Sequence, residues 1–183
     1  EDITKGLPGN ETDPQARYIE AFTAGVRVAS IYLPNGNPVA SEKFPYKLSW
    51  MTALIDHAKT LNRFEEPIIL GGDYNIIPDE RDVYDAKAWK DDALCQPEAR
   101  ALFRTILNLG YTDAFRALNT MAGAYSFWDY QKGRWPRDEG LRIDHFLLSP
   151  EAVDRLHACE IDRGPRGKTK ASDHTPVLVT LKE

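Results

Sequence analysis

Pro67-Ile68-Ile69-Leu70-Gly71-Gly72-Asp73-Tyr74-Asn75 is an apolar run that stops at two glycines and then presents an acid and an amide. Ile68, Ile69 and Leu70 are what a strand covered on both faces needs, and the glycines let another backbone or a ligand approach closely. Side chains alternate along an extended segment, so Asp73 and Asn75 are expected on the same side. An anionic oxygen beside an amide suits a hard cation carrying a phosphate, because Mg²⁺ takes oxygen ligands and keeps waters and substrate oxygens. A Gly-Gly turn with two solvated polar residues is the competing reading of this motif alone.

The surrounding sequence has the alternation of an α/β fold. Residues 16–21 and 26–33 are two extended segments around Gly25, expected as a hairpin; the second ends at Tyr32, followed by Pro34 and the turn pair Asn35-Gly36. Met51, Leu54, Ile55, Ala58 and Leu61 recur at helical spacing, which predicts an amphipathic helix over residues 46–61 with His57 off the stripe and at the surface. Residues 76–96 form a polar, acid-rich connection too long for a simple turn, and such loops inside compact domains usually serve function. A second helix is expected from Pro97 to Gly110. Residues 125–130 and 141–148 read as strands, Ser149-Pro150 as the cap of a short helix reaching His157, and residues 158–162 and 176–181 as two further strands.

At 183 residues and 42% hydrophobic, the chain has the size and composition of one domain spanning residues 1–183. No run approaches the roughly 18 apolar residues of a membrane span, and the start is not signal-like, so a cytoplasmic protein without membrane contact is expected. Cys95 and Cys159 are too few and too far apart for a zinc spacing or a disulfide framework, and read as packing residues. The net charge of −5 argues against wholesale coating of nucleic acid, yet Arg163, Arg166, Lys168 and Lys170 form an acid-free basic cluster. It is able to hold a phosphate backbone or to be a solvated loop. Residues 1–13 read as a polar loop, and the chain starts at Glu1 without a methionine, which points to a removed upstream segment.

Four polar positions fall at strand ends or turns: Tyr32, Asp73 with Asn75, Asp144, and Asp173 with His174. Asp144 interrupts an apolar run and so needs a partner, because an unpaired buried charge is costly. Gly71-Gly72-Asp73-Tyr74-Asn75, Tyr125-Ser126-Phe127-Trp128-Asp129-Tyr130, Leu141-Arg142-Ile143-Asp144 and Ser172-Asp173-His174 follow one another in a pattern that resembles the exonuclease III and apurinic/apyrimidinic endonuclease family. That family belongs to the endonuclease/exonuclease/phosphatase superfamily.

The resemblance implies a four-layer αββα sandwich of the DNase I-like type, lacking its N-terminal strands, with the site where strand ends of two sheets meet. It implies a metal-dependent DNA repair nuclease that hydrolyses phosphodiester bonds of duplex DNA at abasic sites or 3′ ends. By position, Asp73 orients or deprotonates the attacking water, Asn75 supports it and touches the phosphate, and Tyr32 lies near the scissile phosphate. His174 donates to a non-bridging oxygen while Asp144 holds its other ring nitrogen. The metal, Mg²⁺ or Mn²⁺, falls to Asp73, Asn75, Asp173 and His174. Asn35, Phe127, Trp128, Leu141, Arg142, Arg166 and Lys168 fall to DNA, with Phe127 and Leu141 forming an apolar pocket for a base-less sugar.

The opening strands of the family, with an asparagine and the principal metal-binding glutamate, precede residue 1. The resemblance therefore covers a C-terminal portion, and this chain alone is expected to be a weak or inactive enzyme. The parent protein is expected to be a monomer. The fragment is expected to self-associate through a partnerless strand near residues 16–33 and an uncovered sheet face. Two alternatives stay open: a superfamily phosphodiesterase acting on lipid or small phosphoesters, and a catalytically silent DNA-binding fragment.

Overall fold

The computed structural model describes residues 2–182; the reading of Glu1 lies outside them. In chain order the elements are β1 (Ile3–Lys5), β2 (Tyr18–Thr23), β3 (Val26–Tyr32), α1 (Lys43–Leu61), β4 (Ile68–Asp73), α2 (Ala86–Trp89), α3 (Pro97–Asn108), β5 (Thr112–Asp113), α4 (Ala114–Leu118), β6 (Asp144–Leu148), α5 (Pro150–Asp154), β7 (Leu156–Ile161) and β8 (Val177–Leu181). Six strands make one sheet in the order β1-β2-β3-β4-β6-β5, and β7 pairs with β8 in a second.

The stripe on α1 explains the layering. Trp50, Met51, Leu54 and Ala58 are buried with Phe103 and Ile106 of α3 against Ala29 and Ile31 of β3 and Ile68 and Leu70 of β4. Ile69, Leu148, Phe115 and Cys159 form a second core on the opposite face, with Val177, Val179 and Leu181 of β8 packed against it. Strand β4 is thus covered on both faces, which its continuous apolar run requires. Helices, the large sheet and the small sheet give the layered DNase I-like sandwich. His157 and Leu178 are exposed, so a helix layer outside the small sheet is not among the described residues.

Gly71 and Gly72 serve close approach by the protein itself. A Cβ at Gly71 would lie 2.4 Å from the Phe146 ring, and one at Gly72, where φ is +145°, would lie 2.0 Å from the Ile31 carbonyl oxygen. Only glycine lets β3, β4 and β6 pass at this spacing.

Several expectations are corrected. Residues 3–5 are a strand, β1, whose ladder with β2 gives the segment near residues 16–33 a partner on each side. Among the described residues β7 and β8 each keep a free edge in the small sheet. His57 is not a solvated side chain: its Nε2 lies 2.8 Å from the Glu20 carboxylate, with the ring edge-on to Tyr18.

Residues 125–130 do not form a regular strand; Phe127 makes isolated bridges to Leu141 and to His174. The physical reason lies in Ser126, whose buried Oγ accepts from the backbone N–H groups of Ile143 and Asp144 at 3.2 and 3.1 Å. A side chain there takes donors that a ladder would otherwise use. Helix α5 ends at Asp154, short of His157, with Ser149 Oγ accepting from Ala152 N at its start.

Candidate active site

Strand register assembles the site. Tyr32 is the β3 partner of Asp73, and Asp73 is the β6 partner of Asp144, so the three side chains stand abreast where the strands end. The bridge between Phe127 and His174 brings the loop before β8 to the same place. Tyr32, Asn35, Asp73, Asn75, Phe127, Leu141, Asp173 and His174 line one cleft of about 330 Å³.

Asp73 ends its strand and the chain then turns. Asn75 has φ +48°, a left-handed conformation, so it faces Asp73 through a turn and not through strand alternation. Its backbone N–H donates to Asp73 Oδ1 at 2.8 Å, and its amide Nδ2 donates to Asp73 Oδ2 at 3.1 Å and to Leu33 O at 2.9 Å. Its Oδ1 accepts from Asn35 Nδ2 at 2.9 Å. Asn75 is buried with its amide hydrogens committed, which corrects the expected phosphate contact: it orients Asp73. Burial first, and the neighbouring Asp144 second, push the Asp73 pKa up to about 6, opposed by the Asn75 N–H, His174 and Lys47.

His174 Nδ1 lies 2.9 Å from Asp144 Oδ2, while Ser126 Oγ donates to the same carboxylate at 2.6 Å. Burial opposes the charged imidazole, but the Asp144 hydrogen bond and charge outweigh it and raise the His174 pKa above its ordinary value. The pairing leaves Nε2 as the ring nitrogen not engaged by Asp144. Ser126 carried no signal in the sequence beyond its place between aromatic residues.

Three expected DNA contacts are corrected. Arg142 is 1% exposed. It donates to Asp82 at 2.7 Å through Nε and to Asp113 at 2.8 Å through Nη2. His145 Nδ1 lies 3.0 Å from its Nη1. Arg116 also pairs with Asp82. This buried network fixes the backbone between Leu141 and Asp144 and has no guanidinium left for phosphate. Trp128 is fully buried, edge-on to Trp135, with Nε1 donating to Asp138 at 3.1 Å. Arg166 is buried, donating to Trp128 O at 2.9 Å, with its guanidinium against Tyr130 and Trp135. Of the basic cluster, Lys168 and Lys170 are exposed, and Arg163 pairs with Asp138 at 2.7 Å.

The long connection of residues 76–96 contributes Trp89, Asp92 and Leu94 to the cleft, which sequence reasoning left unassigned. Asn37 ties it down: Nδ2 donates to Asp92 Oδ1 at 3.0 Å, and Oδ1 accepts from Ala93 N at 3.1 Å.

Residues 2–174 match the model of the endonuclease/exonuclease/phosphatase family. The chain belongs to that family. An exodeoxyribonuclease of Bacillus subtilis is 32% identical over 98% of this chain and 69% of its own length. Among solved structures, a Neisseria 3′ phosphatase bound to a product DNA hairpin has a TM-score of 0.96 at 35% identity, covering 100% of this chain and 71% of that one. An AP endonuclease of Archaeoglobus fulgidus has a TM-score of 0.93 at 33% identity, with 99% and 70% covered. Nucleases of this family are generally dependent on a divalent metal. The donor set here fits an open oxygen site: Asp73 and Asp173 are two carboxylates on one cleft, while no group of three His, Cys, Asp or Glu side chains converges among the described residues. That pattern suits Mg²⁺, which is held by one or two carboxylates and completed by water and phosphate. Among the described residues no helix is long and apolar enough to cross a membrane.

Proposed function

We propose that this domain hydrolyses phosphodiester bonds of duplex DNA at abasic sites or 3′ ends. The observation that carries the reading is the Asp144–His174 pair standing beside Asp73 in a cleft with an apolar wall. The DNA-bound Neisseria relative and the AP endonuclease and exonuclease relatives support duplex DNA as the substrate.

Asp73 accepts the proton of the attacking water. A carboxylate with its pKa raised to about 6 is a stronger base than an ordinary one and is still ionised at neutral pH. Asn75 holds both carboxylate oxygens, so the accepting lone pair keeps one direction. His174, whose protonated form Asp144 favours, donates from Nε2 to a non-bridging phosphate oxygen as charge builds there. Tyr32, 53% exposed at the rim, presents its hydroxyl to the same phosphate.

Phe127, Leu141, Leu94 and Trp89 give the apolar wall. A bare, flipped deoxyribose leaves no base to be read, and the apolar wall accepts it. Mg²⁺ or Mn²⁺ would be held by Asp173 with water and phosphate oxygens, leaving Asp73 to the attacking water, and would neutralise phosphate charge as a Lewis acid.

The test is single-turnover cleavage of a duplex bearing an abasic analogue, beside a recessed 3′ end and phospholipid vesicles, across a Mg²⁺ series. Cleavage of either DNA, lost in Asp73→Asn, is expected. Hydrolysis of the lipid alone, or DNA binding without cleavage at any Mg²⁺ or Mn²⁺ concentration, contradicts the reading.

A further inference from the structure

Lys47 of α1 is fully buried, and its ammonium lies beneath the floor of the cleft. Nζ donates to Asn75 O at 2.6 Å, to Asn35 O at 3.0 Å and to Ala93 O at 3.3 Å. An ammonium has three donors, and all three are engaged by backbone carbonyls of three separate segments. Each segment contributes to the cleft: Asn35 and Asn37 from the loop after β3, Asp73 and Asn75 from the turn after β4, and Asp92 and Leu94 from the long connection.

The approach is close. A Cβ at Gly36, where φ is +89°, would lie 2.7 Å from Cδ of Lys47, so the loop closes over the lysine stem only with glycine there. A buried cation held by carbonyl dipoles is costly, and an apolar side chain on the same helix stripe would pack at less cost. Burial pushes the pKa down to about 8, which keeps the group charged at neutral pH. Its charge also opposes the upward shift of Asp73.

We propose that Lys47 is a positioning residue for phosphodiester hydrolysis, an ammonium clamp that holds the Asn35, Asn75 and Ala93 segments in one arrangement beneath Asp73. The role in hydrolysis rests on the nuclease reading above; the clamp itself does not. Lys47 does not touch substrate. It acts through the Asn75 carbonyl, whose own residue orients the Asp73 carboxylate, and through the Asn35 loop that bonds the Asn75 amide.

The experiment compares wild type with Lys47→Met, which keeps the stem and removes the charge, and with Lys47→Gln should the methionine variant not fold. Amide hydrogen exchange is read at Asn75 and Ala93 and, as reference, across the β2–β3 ladder; cleavage and DNA binding are read in parallel. The clamp predicts exchange at least tenfold faster at the two loop amides with the ladder unchanged, kcat at least tenfold lower, and Kd for DNA within twofold. Acceleration throughout the protein, or unchanged loop amides, overturns it. Local acceleration with unchanged kcat also overturns the positioning role. Should wild type prove unable to cleave DNA, the nuclease reading fails while the exchange data still decide the clamp.

Discussion

Asp73 and Asp144 are register partners on antiparallel strands, so two carboxylates stand side by side, and the imidazole of His174 sits on Asp144. The environments drive the two acids toward different work. Asp144 is engaged by His174 and Ser126, whereas Asp73 is pushed up to about 6 by burial and by Asp144 itself. Neighbouring titratable groups separated in this way are how one site supplies both a base and a cationic donor.

The pH profile of cleavage follows from these directions. Activity requires Asp73 ionised, so it rises with pH through the Asp73 value, about 6 without metal and lower with a cation beside it, and requires His174 protonated, so it falls as pH passes through the raised imidazole value. The Asp144 charge raises both values. Asp144→Asn therefore moves both limbs of the bell to lower pH and lowers its maximum on the order of 100-fold, as the imidazole loses its orienting partner. Limbs that stay in place in the variant would count against this assignment.

Lys168 and Lys170 are the exposed cations of the basic cluster, whereas Arg166 is a buried support under Trp128. Replacing both lysines by alanine is expected to weaken duplex binding and to flatten its salt dependence by about two units of slope, one per phosphate contact. Arg166→Ala is expected to lower the melting temperature. A slope that the double lysine variant leaves unchanged makes the cluster a solvated loop.

Arg142 joins Asp82 and Asp113 in a buried network that has no access to DNA. Arg142→Ala leaves two buried carboxylates short of a partner, which costs about 3–5 kcal/mol. For a domain of this size that lowers Tm by roughly 10 °C. Thermal unfolding by circular dichroism measures it, and an unchanged Tm contradicts the network as described.

The strand at Ile68–Asp73, the α1 stripe and the Asp144–His174 pairing were legible because each is written in local pattern or in a motif. What was not legible depends on partners far along the chain. Arg142 is 60 residues from Asp82 and 29 from Asp113, and nothing local distinguishes a buried arginine from a solvated one. Ser126 dissolves an aromatic run that reads as a strand by taking two ladder donors. Lys47 did leave a trace: Phe44, Lys47, Met51, Leu54, Ala58 and Leu61 continue one helical stripe, and a lysine inside it has to find polar groups within the core.

In the proposed mechanism Asp73 is the base for hydrolysis of a DNA phosphodiester. Its most direct test is the single-turnover rate on an abasic-analogue duplex at saturating Mg²⁺, wild type against Asp73→Asn, with DNA affinity measured on the same samples. The expected result is a loss on the order of 100-fold in rate, about 2.7 kcal/mol of transition-state stabilisation, with little change in affinity. A wild-type protein that cleaves no faster than Asp73→Asn would contradict it.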